Sequence, residues 1–547
     1  MPGMAEPPRA SWALAVRARP GAGACLALLA LALLLYAPYL GAEELHYEEA
    51  RRALPAREML ASGDWVLPTI WGRAYLAKPP FLYWCIAALG AARGALDEVT
   101  TRLPSLVATA ATALAILVLG ARWFSRRAGG AAALCWLLAP AVFNKGALGE
   151  LEALLALCVL GALAALPAAV AGSWRAAGAC GLCLGAALLT KGPPGLIFLG
   201  AAWLALARVQ APAGTRLAVG VLRDPRALCA LALGLGLALA WAALLLARLD
   251  VAQTLATWRG ELDRTGGAGL GELVGDRLRF PLAFFGGVLA ASLCLCVVAD
   301  RATWRELCAQ PAFAWLAGTL LLALAALVCF APRHRYAYPL TPLLALLGGA
   351  LFDARCTRAA GAPAARPARA LAWLFALAGL ALGASIVPAL RRAAGLELDY
   401  DAWGQAAALL GLGAGLWLAA AARRAPLARL GLGAALVLVA VRLLIVTQYD
   451  PSRAERRGYR RTAAEIAALV PAGETLHTPL WMHFNELFYV ERSVRTVPDL
   501  GAVPRGGFAF VRNPAPEVAR GFRVLGEVAL DDGSRGVVLV RAPLDGD

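Results

Sequence analysis

Apolar stretches able to cross a hydrocarbon layer about 30 Å thick, which takes about 20 helical residues, recur from the first fifty residues of this chain to about residue 448. With 60% hydrophobic residues, 16% charged residues and a mean hydropathy of +0.64 over 547 residues, the chain is too apolar for a soluble multidomain enzyme. The stretches fall near residues 21–41, 103–121, 128–144, 152–171, 176–189, 192–207, 227–248, 281–299, 311–330, 336–352, 370–390, 405–422 and 430–448. They describe a polytopic α-helical membrane protein of about thirteen transmembrane helices, good to about one either way.

A net charge of +16 would suit nucleic acid if the basic residues shared one soluble face, but they alternate with the spans. With the N-terminus in the cytoplasm, the inner segments carry Arg9, Arg17 and Arg19, then Arg122, Arg126 and Arg127, then Arg175. The later ones carry Arg208, Arg216, Arg223 and Arg226, then Arg301 and Arg305, then Arg355, Arg358, Arg366 and Arg369, then Arg423, Arg424 and Arg429. Every inner loop is basic, as the positive-inside rule requires. An odd number of spans then puts the tail outside. Residues 1–449 form the membrane domain and 450–547 a soluble extracytoplasmic domain. The first run, Ala24 to Leu40, leads into a charged loop without a small-residue cleavage site and is read as a retained helix. None of the twelve cysteines lies beyond residue 450, so the tail has no disulfide framework. Cys180 and Cys183 sit in an apolar run with no second pair at zinc-site spacing and read as buried small side chains.

The first outer loop, residues 42–102, is too long and too rich in charge, aromatics and proline for a passive turn. Within it, Tyr47 to Leu60 and Phe81 to Ala92 suit helices lying in the interface plane. In the tail, Arg460 to Leu469 reads as a helix. Phe508–Arg512, Arg523–Ala529 and Gly536–Arg541 read as strands, with Asp531-Asp532-Gly533 as a turn, which makes a small α/β domain.

Only three of the 52 basic residues are lysines, Lys78, Lys145 and Lys191, and the topology places all three at outer ends of spans. A lysine kept where arginine is the rule suggests a compact ammonium for a phosphate; snorkelling at helix ends is the alternative. Lys78 and Lys191 precede proline turns, Lys78-Pro79-Pro80 and Lys191-Gly192-Pro193-Pro194, that fix the backbone near the charge. The histidines His46, His334, His477 and His483 also fall outside, open to a metal or acid/base role or to interfacial hydrogen bonding. Glu43, Glu44, Glu48 and Glu49 open the first loop, and Glu150 and Glu152 stand between two spans. A carboxylate at membrane depth costs at least about 2.5 kcal/mol unless it faces a polar cavity or a partner. Glu150 and Glu152 therefore line such a cavity or cap a solvated helix end. A sugar donor carried on a lipid phosphate needs fixed cations for the leaving phosphate and a carboxylate for the attacking hydroxyl. Both are present on the outer side.

The stretch from Glu48-Glu49-Ala50-Arg51-Arg52 through Ser62-Gly63-Asp64-Trp65 to Lys78-Pro79-Pro80-Phe81-Leu82-Tyr83-Trp84 resembles the polyprenyl-phosphate-dependent glycosyltransferases of the GT-C class. These include the lipid A aminoarabinose transferases and, more distantly, the protein O-mannosyltransferases. Glu150-Leu151-Glu152, Leu189-Thr190-Lys191-Gly192-Pro193 and Arg335-Tyr336 through Pro339 extend the resemblance across most of the membrane region. The resemblance implies that Glu48 is the essential first-loop acid, usually aspartate, and that Arg51, Lys78 and Lys191 hold the donor phosphate. It implies that Glu49, Glu150, Glu152, Tyr83, His334, Arg335 and Tyr336 line the cavity and position substrate. Three departures are visible: the longer glutamate at 48, Arg52 in place of a common tyrosine, and Ala77 where aminoarabinose transferases carry an acid. No cofactor is required by the sequence; a divalent metal stays open, with Ala77 counting against it.

The expectation is an inverting hexosyl or pentosyl transfer, outside the inner membrane, from a polyprenyl-phosphate-linked sugar to a lipid, glycan or protein acceptor. Membrane lipids are further partners and nucleic acid is not. A transporter or flippase of an amphipathic solute, or a non-catalytic lipid-binding assembly component, are the rivals from other classes. The first predicts broken helices or inverted repeats at the bilayer midplane.

Overall fold

The computed structural model describes residues 17–46, 48–212, 215–263, 270–295, 300–330, 334–359, 362–395, 400–451, 458–479, 484–513, 521–530 and 534–541, without the side chains of 260–263, 270–274, 276, 278, 330 and 334. The chain is a polytopic helical membrane protein. Among the described residues nine helices are long and apolar enough to cross a bilayer: Ala22–Tyr39, Glu98–Trp123, Leu151–Val170, Val219–Leu246, Pro311–Cys329, Arg335–Ala359, Arg366–Ala384, Ala402–Ala421 and Leu427–Tyr449. The other four expected segments are helical but shorter, more dilute or interrupted. Near 128–144 the helix Arg126–Leu137 stops and Pro140–Lys145 begins anew, with Ala139 extended (φ −77°, ψ 137°) ahead of the proline. Near 281–299, Leu270–Gly287 gives way at Val288 (φ −123°, ψ 51°) to the short helix Leu289–Leu293. Trp174–Lys191, rich in Ala and Gly, ends at Gly192 (φ 80°), and Pro194–Val209 has only 16 residues.

The chain divides into two compact units, the first comprising Met1–Tyr39, Ala77–Phe81 and Pro104–Tyr449, the second Leu40–Leu76, Leu82–Leu103 and Asp450–Asp547. In the first unit small residues let helices approach closely, the usual device where lipid supplies no hydrophobic drive. A Cβ added to Gly349 would lie 2.5 Å from the Ala128 carbonyl oxygen and 2.7 Å from the Ala132 Cβ, so Thr341–Ala359 and Arg126–Leu137 meet backbone to backbone. Ser125 caps the latter helix through the Ala128 N–H and donates its hydroxyl to Asp353 at 2.5 Å, locking the same pair.

The second unit joins the first loop to the tail. The helix Glu49–Ser62 closes on Gly63, whose left-handed φ of 73° lets its N–H reach the Met59 carbonyl. Strands β1 (Thr69–Ile70) and β2 (Arg73–Ala74) pair across Trp71-Gly72, both at positive φ (54° and 75°) as a two-residue hairpin of this hand needs. The helix Phe81–Arg93 follows. Both expected loop helices are present, Tyr47 itself lying outside the described residues. In the tail, Tyr459–Leu469 precedes strands β3 (Thr475–Thr478), β4 (Ser493–Thr496), β5 (Phe508–Arg512), β6 (Phe522–Ala529) and β7 (Arg535–Arg541). They form a sheet in the order β4-β3-β5-β7-β6, parallel at β4-β3-β5 and antiparallel beyond. The three foreseen strands are β5 to β7; their Asp531-Asp532-Gly533 connection lies outside the described residues. β3 and β4 are four residues each and mixed in polarity, too short for a period-2 pattern to show.

Gly349→Leu, which over-packs a backbone-to-backbone contact, is expected to cost about 1–3 kcal/mol. A lower unfolding temperature of the purified protein in detergent, against an unchanged value for Gly413→Ala, would show it; a Cβ at Gly413 meets nothing within 4 Å.

Candidate functional site

In the second unit the loop acids divide by burial. Glu49 begins its helix facing inward and is fully buried, its two oxygens accepting from Arg102 Nε and Nη2 at 2.8 Å each. Arg102, equally buried, donates its remaining N–H groups to the carbonyls of Leu40, Glu43 and Glu44 at 2.7–3.1 Å. All five guanidinium donors are thus used. His46 adds a contact from Nδ1 to Glu49 Oε2 at 2.8 Å and lies 3.8 Å from Glu43. Burial by itself would raise the Glu49 pKa, but Arg102 and then His46 hold it well below the usual carboxylate range. Glu49 was expected to position substrate; here it binds its own loop together.

Glu48, one residue earlier, keeps its side chain about a third exposed (35%) and meets two cations. Arg52 Nη2 donates to it at 2.6 Å and Arg51 Nη1 lies 3.5 Å away. Spacings of three and four residues put both arginines on one helical face with Glu48. Arg52 is buried and also donates to the hydroxyls of Tyr75 at 2.7 Å and Tyr83 at 3.5 Å. Burial first, then neighbouring Tyr75, pushes the Tyr83 phenol well above its ordinary pKa, so it stays protonated. Arg51 lies 5.2 Å from the Tyr75 ring centroid and 5.4 Å from that of Phe484 in the tail. The tail is tied to the loop elsewhere too. Glu44 accepts from the Tyr459 and Arg460 N–H groups at 2.7 and 3.1 Å, capping the helix Tyr459–Leu469, and Tyr489 donates to Glu98 at 2.7 Å.

In the first unit the lysines meet the interspan acids. Lys191 Nζ donates to Glu152 Oε1 at 2.8 Å with both side chains nearly buried, and lies 4.9 Å from the Tyr336 ring centroid. Arg335 flanks the same ring at 5.7 Å. Lys145 Nζ donates to Glu150 Oε2 at 2.6 Å. Lys78 Nζ donates to the Ala77 carbonyl at 2.8 Å. The side chain of His334 and all of His483 lie outside the described residues, and His477 sits on β3 against the Phe508 carbonyl. The expected residues therefore gather as Glu48, Arg51 and Tyr83 in one unit and Glu152, Lys191, Arg335 and Tyr336 in the other. No group of three or more His, Cys, Asp or Glu side chains suited to a metal occurs among the described residues. Sequence reasoning passed over Tyr75 and Arg102, and noted Arg52 only as a departure from the family pattern. Arg102 carried a signal, being an arginine at the start of a span whose far end holds the basic cluster Arg122, Arg126 and Arg127.

Residues 77–222, which contain Lys78, Glu150, Glu152 and Lys191, match the family model described as dolichyl-phosphate-mannose-protein mannosyltransferase. The structure superposes on that of ArnT from Cupriavidus metallidurans bound to undecaprenyl phosphate with a TM-score of 0.69 at 18% identity, covering 96% of this chain and 99% of that one. The chain has the fold of that structure. Two relatives match a part of the sequence. The undecaprenyl phosphate-alpha-4-amino-4-deoxy-L-arabinose arabinosyl transferase of Pseudomonas savastanoi pv. phaseolicola is 38% identical over 112 residues, 20% of this chain and 21% of that protein. Its Sodalis glossinidius counterpart, numbered 2, is 33% identical over 151 residues, 26% and 27% of the two chains. The matched segment thus spans about a fifth to a quarter of these relatives' length, and the GT-C likeness over the rest of the chain is one of fold.

Glu49→Gln or Arg102→Met leaves a buried partner unpaired and is expected to cost the second unit about 3–5 kcal/mol. Because the folded-state pKa of Glu49 is depressed, its contribution is complete above the unfolded value of about 4.3 and is lost as pH falls below it. Limited proteolysis of the loop between pH 7 and pH 3 should show wild-type protection falling in acid. Glu49→Gln should be cleaved readily throughout and lack that part of the pH dependence.

Proposed function

We propose that this chain is a glycosyltransferase that moves a hexosyl or pentosyl group from a polyprenyl-phosphate carrier to a lipid, glycan or protein acceptor outside the cytoplasmic membrane. The observation that carries the reading is the contrast between adjacent acids on a GT-C scaffold. Glu49 is consumed by Arg102, whereas Glu48 is accessible and pairs with Arg51 and with Arg52, which also donates to the hydroxyls of Tyr75 and Tyr83. In this reading residues 1–449 form the transferase domain in the bacterial inner membrane, with the N-terminus cytoplasmic. Residues 450–547 form the extracytoplasmic domain; the alternation of basic segments supports both placements.

The reaction is a single displacement with inversion. An acceptor oxygen forms a bond to the anomeric carbon as the bond from that carbon to the phosphate oxygen breaks, and the electron pair leaves with the polyprenyl phosphate. Where the acceptor is a hydroxyl, Glu48 takes its proton; where it is an already ionised phosphate oxygen, Glu48 orients the sugar. Arg51 and Lys78 meet the charge that grows on the departing phosphate. Arg52, shared between Glu48 and two tyrosine hydroxyls, fixes the direction of the carboxylate. In the membrane unit, Lys191 is held by Glu152 over the Tyr336 ring, a cation on a rigid seat suited to a phosphate or sugar oxygen. Glu150 with Lys145 and Arg335 beside Tyr336 give further polar contacts to donor or acceptor.

Purified protein given a radiolabelled polyprenyl-phosphate sugar should release free carrier. With a hydroxyl acceptor, Glu48→Gln should slow turnover by about 10²–10⁴-fold, the usual contribution of a general base. Lys78→Ala should lower kcat/KM by about ten- to a hundredfold, the loss of a charged hydrogen bond of about 1.5–3 kcal/mol. Undiminished release by a well-folded Glu48→Gln protein would remove Glu48 from the chemistry, and binding of donor without release by wild type would favour a lipid-binding role.

A further inference from the structure

A cavity of about 430 Å³ lies within the first unit, and neither the lysines nor the carboxylates of the lysine–carboxylate pairs line it. Its walls come from the helices Arg126–Leu137, Leu289–Leu293, Thr341–Ala359, Arg366–Ala384 and Leu427–Leu444, and apart from Arg127 they are Gly, Ala, Leu, Phe and Cys side chains. That volume falls in the range of about 300–1,000 Å³ usual for ligand sites. Ala428 and Leu432 at its edge are exposed, so the space opens sideways between helices. Gly130 faces into it, a Cβ there meeting nothing within 4 Å.

One end of the cavity is cationic. Arg127, more than half exposed, lines both this space and a second pocket formed with Cys356, Thr357 and Pro426. Arg366 and Arg369 begin the helix whose next turns, at Ala368, Leu371 and Ala372, form one wall; Arg423, Arg424 and Arg429 flank Leu427 and Ala428 on another. Arg127 has Asp353 at 3.6 Å. Among the described residues no carboxylate lies within ion-pair reach of Arg366, Arg369, Arg423, Arg424 or Arg429. An apolar slot with Arg127 in its lining and further arginines at the ends of its wall helices matches a molecule with a hydrocarbon chain and an anionic head, and basic pockets between spans are a known way of holding such head groups.

We infer that this cavity binds an anionic glycerophospholipid of the surrounding bilayer, one acyl chain in the slot and the phosphate at Arg127 and the neighbouring arginines. The occupant is taken to be a bulk lipid rather than the polyprenyl phosphate because the rim lies on the arginine-rich face, which the proposed orientation makes cytoplasmic, whereas the lysine–carboxylate pairs lie on the other. The inference stands apart from the transfer reaction, since its readout is lipid retention.

Delipidated full-length protein in detergent, incubated with dioleoyl-phosphatidylglycerol or dioleoyl-phosphatidylcholine, can be followed by native mass spectrometry. The glycerol lipid should be retained about tenfold more than the choline lipid, with the preference fading at high salt. Gly130→Leu, which fills the slot from a helical position with open space around it, should reduce retention about tenfold with an unchanged unfolding temperature. Arg127→Gln combined with Arg366→Gln should abolish the preference between the two lipids while leaving the slot intact, and tests the site even if Gly130→Leu does not fold. Equal retention of both lipids by wild type, or undiminished retention by both variants, overturns the proposal. Displacement of the glycerol lipid by equimolar undecaprenyl phosphate overturns the choice of occupant.

Discussion

Arg102 has no exposed surface and spends every N–H it has on the first long loop. A buried guanidinium is tolerable only when an anion and a full set of acceptors surround it. Glu49 supplies the anion and three carbonyls between Leu40 and Glu44 supply the rest, so the chain entering the loop, the first turn of its helix and the start of the next long helix are held at one point. The position of Glu48 follows from this, because it is the residue before Glu49 on a helix whose inward face is already committed. So do the positions of Arg51 and Arg52 one turn on.

The tail adds to the same unit through contacts between charge and backbone. Glu44 sits at the amino end of the helix Tyr459–Leu469, where the orphan N–H groups and the helix dipole favour a carboxylate, and Glu98 takes hydrogen bonds from Tyr489 and Arg460. Four glutamates of the loop region therefore have four different environments: Glu44 caps, Glu49 is buried in a fork, Glu98 is an acceptor for the tail, and Glu48 alone among them pairs with arginines while staying a third exposed. Only the last arrangement combines charge, access and fixed direction, which is what an acid near a reacting sugar needs.

Inside the membrane unit the same economy of charge applies at lower dielectric. Lys191 and Glu152 come from two helices that pack side by side, and each would be costly at that depth without the other. Arg366, Arg369, Arg423, Arg424 and Arg429 are placed differently, at or beside helix ends, and among the described residues no carboxylate is within ion-pair reach of them. The two sets of cations thus differ in kind, single directed ammonium groups in one and guanidinium groups near an apolar slot in the other.

Apolar runs, basic inner segments and a charged first loop are local properties, and from them the membrane class, both loop helices, the tail helix and strands β5 to β7 were legible. Scarce lysines and clustered acids also stand out against an Ala-, Leu- and Arg-rich background, while the site roles of Glu48, Arg51, Lys78, Lys191 and the pair Glu150 and Glu152 were implied only by the family resemblance. Which of two adjacent glutamates would be buried was not legible, because the answer lies in Arg102, more than fifty residues away along the chain. The breaks before Pro140 and at Val288, the short strands β3 and β4, and the apolar slot rimmed by arginine are likewise products of packing. Hydropathy and charge are read along the chain and determine what must be buried; the partner that makes burial affordable is chosen only when distant segments meet.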